Sequence, residues 1–163
     1  MEEARNVALV GGWQGNELTH SIIAAGIGLH SAVGPGFLEA IYHRGLILEL
    51  RGMGIECSSE VAVPVTHKGV LLGRHRLDLV VAGQVIVELE SAKHFDDAHF
   101  AQLRSYLAAS GLEVGLLLNF GPTRLGIKRV YSENQRRSIL GSVRPGFPRR
   151  PTSPSAPTTE SPE

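Results

Sequence analysis

The run Val85–Phe95, VIVELESAKHF, limits the possible folds more than any other stretch of the chain. Its apolar, β-branched start reads as a buried strand. It ends in Glu88 and Glu90, two positions apart, which strand alternation places on one face of a sheet. Residues 70–81 read as the preceding strand, with the Ala82–Gly83 dipeptide as a hairpin turn. If the loop centres on Gly83, residues equidistant from it face each other, so Asp78 meets Glu88 and Arg76 meets Glu90. A one-residue change in the turn would move Asp78 to the other side of the pairing. Facing residues have Cβ atoms about 4.5–5.5 Å apart, and two unpaired carboxylates that close destabilise a hairpin. A divalent cation between them reverses the sign, and an all-oxygen donor set suits Mg²⁺ or Mn²⁺ better than zinc.

The rest of the chain supplies the frame. NELTHSIIAAGIGLHSAV reads as a helix capped by Asn16, with Leu18, Ile22, Ala25 and Leu29 on one face. Gly34-Pro35-Gly36 interrupts it. FLEAIYHRGLILELRGMG restarts as a second helix, with Leu38, Ile41, Gly45 and Leu48 expected inward and Gly54 as its stop. Strands are expected at about 60–66, 70–81 and 84–90, with a Lys68–Gly69 turn in the first hairpin. Asp96 or Asp97 caps a further helix that Gly111 ends, and EVGLLLNF and IKRVY read as two more strands. The order α-β-β-β-α-β indicates an α/β (α+β) domain with a mixed central sheet flanked by helices.

Composition sets the bounds. With 163 residues, 42% of them hydrophobic and 20% charged, one globular domain with a real core is expected. No apolar run approaches the roughly 18 residues of a membrane span. The start MEEARNVALVGG lacks the pattern of a signal peptide, which makes the cytoplasm the expected location. A single cysteine, Cys57, excludes an internal disulfide and a multi-cysteine zinc site. The zero net charge hides a segregation. Residues 124–150 carry Arg124, Lys128, Arg129, Arg136, Arg137, Arg144, Arg149 and Arg150 against Glu133 alone. That segment is either a phosphate-attracting stretch or an ordinary solvated one. Residues 144–163 crowd six of the nine prolines and few large apolar residues, so disorder is expected there. The folded domain is expected over 14–135, followed by a basic, then Pro/Ser/Thr-rich tail over 136–163.

Several motifs share one order with a known family. GFLEAIY holds Gly36, Glu39 and Tyr42, and around it stand NELTHSIIAAGIGLHSAVGPG, RLDLVV, VIVELE, AQLRSYL and GLLLNFG. Over residues 16–131 the chain resembles the GxxExxY proteins, a family similar to the PD-(D/E)XK nuclease superfamily with its restriction-endonuclease-like αβββαβ core. The resemblance implies a Mg²⁺- or Mn²⁺-dependent nuclease acting on DNA or RNA. It makes Asp78 and Glu88 metal ligands, with Glu39 approaching the same site, and it places Gln102 and Tyr106 of a Q-x-x-x-Y helix beside the metal and nucleic acid. Helical spacing independently puts Glu39 with Tyr42, and Gln102 with Tyr106, one turn apart.

One position departs from the family. Glu90 stands where the superfamily has lysine. Glu90 can act as a general base or bind a second metal. The alternative is a catalytically impaired, nuclease-like module that binds nucleic acid or a protein partner, with Glu90 in an ion pair with Arg76. A third reading is a structural protein whose acidic cluster is satisfied by Arg74 and Arg76. His99 shares the helical stripe of Gln102 and Tyr106 and is read either as a site residue or as a structural one.

Overall fold

The structure is a computed structural model and describes residues 15–142. Its elements in chain order are α1 (Gly15–Val33), α2 (Glu39–Gly52), β1 (Cys57–His67), β2 (Val70–Val81), β3 (Val85–Glu90), α3 (Asp97–Ser110), β4 (Val114–Asn119), β5 (Gly126–Tyr131) and α4 (Glu133–Ser142). The five strands lie in one sheet in the order β1-β2-β3-β4-β5. Only the β3–β4 pair is parallel, because α3 carries the chain back across the sheet between them. The expected α/β restriction-endonuclease-like arrangement is therefore present.

The sheet is covered on both faces. Leu18, Ile22, Ala25 and Leu29 of α1 pack with Tyr42, Leu46 and Leu50 of α2 against Leu79, Val81, Val87, Leu89, Leu116 and Leu118. On the other face Leu103, Tyr106 and Leu107 of α3 pack against Leu77, Ile86, Leu117 and Val130. The buried stripe of α1 is the expected one. That of α2 is not, since Leu38 and Leu48 are 79% and 68% exposed and Ile41 is 44% exposed. Two apolar stripes compete on this helix. The winner is set by Tyr42, whose ring stacks on Phe120 at 4.4 Å and whose hydroxyl donates to Gly34 O at 2.7 Å. Gly45 does face inward: a Cβ there would meet Leu29 at 2.5 Å.

The caps follow local chemistry. Asp96 caps α3, its carboxylate accepting from His99 N–H while His99 Nδ1 accepts from Asp96 N–H, and Gly111 ends the helix at φ 75°. Helix α1 begins at Gly15, ahead of the expected cap Asn16. Both hairpin turns put two consecutive residues at positive φ, Lys68 with Gly69 and Ala82 with Gly83, which matches the twist of the flanking strands. Helix α4 continues past the expected domain end at 135 to Ser142, and the Pro/Ser/Thr-rich stretch lies outside the described residues. Among the described residues no helix is long and apolar enough to cross a membrane.

Candidate active site

The second hairpin keeps the register centred on Gly83: Val81 faces Val85, Val80 faces Ile86 and Leu79 faces Val87. Past Leu79 the backbone ladder gives way to side chains. Asp78 N–H donates to Glu88 Oε1 at 3.1 Å, and Leu89 N–H donates to Asp78 Oδ2 at 2.9 Å. Each carboxylate thus caps the other strand's backbone, and the two acids that counting brought together are interlocked.

The first hairpin makes room for this. Its ladder pairs Ser59 with Leu79 and Val61 with Leu77 but skips Glu60 and Asp78, and Glu60 is left-handed at φ 54°. The alternation of β2 breaks at the same point. Leu77 joins the α3 side of the core and Leu79 the α1–α2 side, although both are odd-numbered positions on one strand. His43 on α2 lies 3.2 Å from the Asp78 carbonyl oxygen through Nε2 and pins the kink from the helix side.

Burial makes these carboxylates reluctant anions. Glu88 is only 3% exposed, and burial followed by the negative charge of Asp78 pushes its pKa up to about 8. Burial likewise raises Asp78, against the lowering effect of the Leu89 N–H bond. Glu39, at the first turn of α2, is raised by partial desolvation and then by the charges of Asp78 and Glu90. Burial also raises Glu90, opposed by His99, whose Nε2 lies 3.2 Å from Glu90 Oε2. Four carboxyl groups at one end of the sheet therefore all hold protons more tightly than they would in water, the signature of a site that wants positive charge.

The supporting residues come from three elements. Gln102 on α3 donates to Glu88 Oε2 at 3.4 Å and to the Tyr106 hydroxyl at 2.7 Å, so the Q-x-x-x-Y pair shares one face as expected. Burial, then the Glu88 charge, raises the Tyr106 phenol. Glu39 and Tyr42 do not share the site. Glu39 faces the acids, whereas Tyr42 is fully buried and also accepts from Phe37 N–H at 3.1 Å. The spacing of Gly36, Glu39 and Tyr42 then has a local explanation. Gly36 takes φ 96° in the loop, Tyr42 clamps that loop to the core, and Glu39 begins α2 within reach of the charges of Asp78 and Glu90. Buried Asn119 fixes the far side, its Oδ1 accepting from Ala92 N–H at 3.1 Å and Gly121 N–H at 3.0 Å. A Cβ on Gly121 would lie 2.2 Å from Ala92 O, so the two loops touch backbone to backbone.

Sequence reasoning missed three contributors. Asn119 carried no signal beyond its place at the end of a strand, and His43 none beyond its helix. The His99–Glu90 link was foreshadowed only by the shared stripe of His99, Gln102 and Tyr106. The expected Arg76–Glu90 pair is absent. Arg76 pairs with Glu60 instead, because the kink at Asp78 takes the outer part of β2 away from β3. Lys93 is exposed in the loop after β3.

Whether a cation fits is a question of donor chemistry. Among the described residues no group of three or more His, Cys, Asp or Glu side chains is placed to hold a metal ion. Mg²⁺ does not need one, since it binds through one or two carboxylates and keeps several of its waters. Asp78 and Glu88 bring two carboxylates together, the number that Mg²⁺ asks of a protein, and Glu39 is close enough to feel the charge of Asp78.

Two solved structures are similar over most of the chain: SSO0001, at 22% identity and TM-score 0.47, covering 82% of this chain and 69% of its own; and the alkaline exonuclease of Laribacter hongkongensis, at 10% identity and TM-score 0.45, covering 81% and 77%. No curated protein matches the chain. Residues 16–130, which contain every side chain of the acidic site, match the family model of the PD-(D/E)XK nucleases, and the chain belongs to the PD-(D/E)XK nuclease superfamily.

Proposed function

We propose that the protein hydrolyses phosphodiester bonds in nucleic acid with the help of Mg²⁺ or Mn²⁺. The observation that carries this reading is the interlocked pair of Asp78 and Glu88, which are held so close and so buried that both ionise readily only with a cation beside them. Asp78 and Glu88 would hold the cation, with Glu39 reaching it directly or through water. When bound, it supplies positive charge beside the phosphate as negative charge builds there.

The remaining roles belong to the protein's own side chains. Glu90, desolvated and at the open end of β3, takes a proton from the attacking water as a general base. His99 holds it in place. Its Nε2 lies 3.2 Å from Glu90 Oε2, while Nδ1 is engaged by Asp96 in the helix cap. Gln102 orients Glu88 and Tyr106, and its amide together with the Tyr106 hydroxyl positions the nucleic-acid backbone. The water oxygen bonds to phosphorus, the ester bond on the opposite side breaks, and the departing oxygen takes a proton from solvent.

The test is to incubate purified protein with single- and double-stranded DNA and RNA, with Mg²⁺, Mn²⁺ or chelator. Cleavage should require the divalent ion and disappear with chelator. Binding without cleavage under every condition would favour the non-catalytic module, the reading suggested by a carboxylate at position 90.

A further inference from the structure

The first hairpin is longer than the sheet it belongs to. β1 and β2 pair over Cys57–His67 and Val70–Val81, whereas β3 pairs with β2 only at Leu79, Val80 and Val81. From Asp78 outward to the Lys68–Gly69 turn the ribbon is two strands wide, roughly 25–30 Å at about 3.3 Å per residue. A two-stranded ribbon is marginal on its own. The inner half of this one leans on α3, through Val61, Val63 and Leu77 and through His75, whose ring lies 4.7 Å from that of Tyr106. Among the described residues the outer half has no such support. A register shift between Val65 and Thr66 adds twist there, and Val70, Leu71 and Leu72 are 61%, 46% and 66% exposed.

Charge indicates what this arm meets. Residues 61–77 contain no Asp or Glu but hold Lys68, Arg74 and Arg76, with His67 and His75 beside them. Arg76 shares Glu60 at the root of the arm, and Lys68 and Arg74 are exposed nearer the tip. A cationic ribbon that springs from an acidic catalytic cluster complements a polyanion whose cleavable bond must reach that cluster.

Shape narrows the class. The major groove of B-form DNA, about 12 Å wide, admits a two-stranded β-ribbon and exposes thymine methyl groups to apolar side chains. The major groove of A-form RNA is too deep and narrow for protein side chains to read. A single strand has no groove. We propose that the β1–β2 arm grips B-form duplex DNA, with Lys68 and Arg74 on the phosphates and Leu71 and Leu72 against base edges in the major groove. The bound strand is thereby led along β2 to Asp78, and the substrate is double-stranded DNA. This inference rests on the hydrolytic reading of the Asp78–Glu88 site only for its purpose; the grip itself is measured by binding.

The experiment compares wild type, the double variant Lys68→Glu/Arg74→Glu, the tip variant Leu71→Ser/Leu72→Ser and Glu88→Gln. Fluorescence anisotropy is recorded in chelator over a salt series, against a DNA duplex, an RNA duplex of the same sequence and the single DNA strand. Circular dichroism confirms that each variant is folded. Wild type and Glu88→Gln should bind the DNA duplex at least about tenfold tighter than the RNA duplex. The charge reversal should lower DNA affinity about tenfold or more and flatten the slope of log K against log salt by about 2, one unit per lost phosphate contact. Unchanged DNA affinity in the double variant, or equal affinity for RNA or the single strand, would overturn the proposal. So would a tip variant that alters only the oligomeric state, since the apolar tip would then join copies of this chain. Binding through the arm without any cleavage by wild type would leave the grip standing and remove hydrolysis. Cleavage that persists unchanged after charge reversal would do the reverse.

Discussion

Glu88→Gln is expected to abolish cleavage and at the same time make the metal-free protein more stable near neutral pH. The two effects have one cause. Glu88 is buried beside Asp78, and its pKa stands at about 8 in the folded state, against an ordinary value of 4.5. A carboxyl group raised in this way contributes stability that is present in full below its unfolded value and is lost as pH rises through its folded value. Metal-free wild type should therefore lose stability from about pH 4.5 to about pH 8, more steeply than Glu88→Gln. Glutamine keeps the acceptor for Asp78 N–H while removing the charge. The two should converge in acid, which a pair of thermal or urea unfolding series across this range will read. Adding Mg²⁺ or Mn²⁺ should restore the wild type, by about 2.7 kcal/mol at one hundred times its dissociation constant. The variant should not respond. Its cleavage should fall by at least about 10²-fold, the upper end of what loss of an outer metal partner costs. A variant that neither gains stability nor loses activity would show that Glu88 is an ordinary structural acid.

Glu90→Lys should inactivate the protein, even though it installs the residue usual for the superfamily. The surroundings of position 90 favour a carboxylate. His99 Nε2 stands 3.2 Å from the Glu90 carboxylate, a contact that an ammonium group cannot accept, and the ring is held there by the Asp96 cap. If Glu90 is the base, both Glu90→Lys and Glu90→Gln lower kcat by roughly 10²–10⁴-fold, the usual value of a positioned acid–base group. Both variants should stay folded, and Lys should raise the unfolding midpoint by placing a cation among Glu39, Asp78 and Glu88. A rise in cleavage on Glu90→Lys would instead identify position 90 as a decayed lysine site. Equal activity of all three forms would exclude any role for this side chain.

What the sequence disclosed and what it hid divide along physical lines. The hairpin register was legible because turn residues with positive φ and a buried face fix pairing tightly, and counting from Gly83 brought Asp78 to Glu88. The cap of α3, the apolar stripe of α1 and the Gln102–Tyr106 contact were legible from local rules. The phase of α2 was not, because Leu38, Ile41 and Leu48 offer as plausible a stripe as Tyr42, Leu46 and Leu50. The Phe120 ring, far along the chain, and the Gly34 carbonyl decide between them. Unbroken alternation places Arg76 opposite Glu90, and the left-handed Glu60 beside Asp78 has no signature in the sequence. His99 was half-legible. Its helical stripe pointed to the site, but its bond to Glu90 depends on how α3 crosses the sheet.

Asp78 and Glu88 are expected to converge on a shared cation. A crystal of the protein soaked in Mn²⁺, with diffraction recorded at the manganese absorption edge, reads this directly. One anomalous peak is expected in contact with both carboxylates, with Glu39 beside it. A map with no peak there, while Asp78 and Glu88 keep their bonds to the opposite strand, would contradict it.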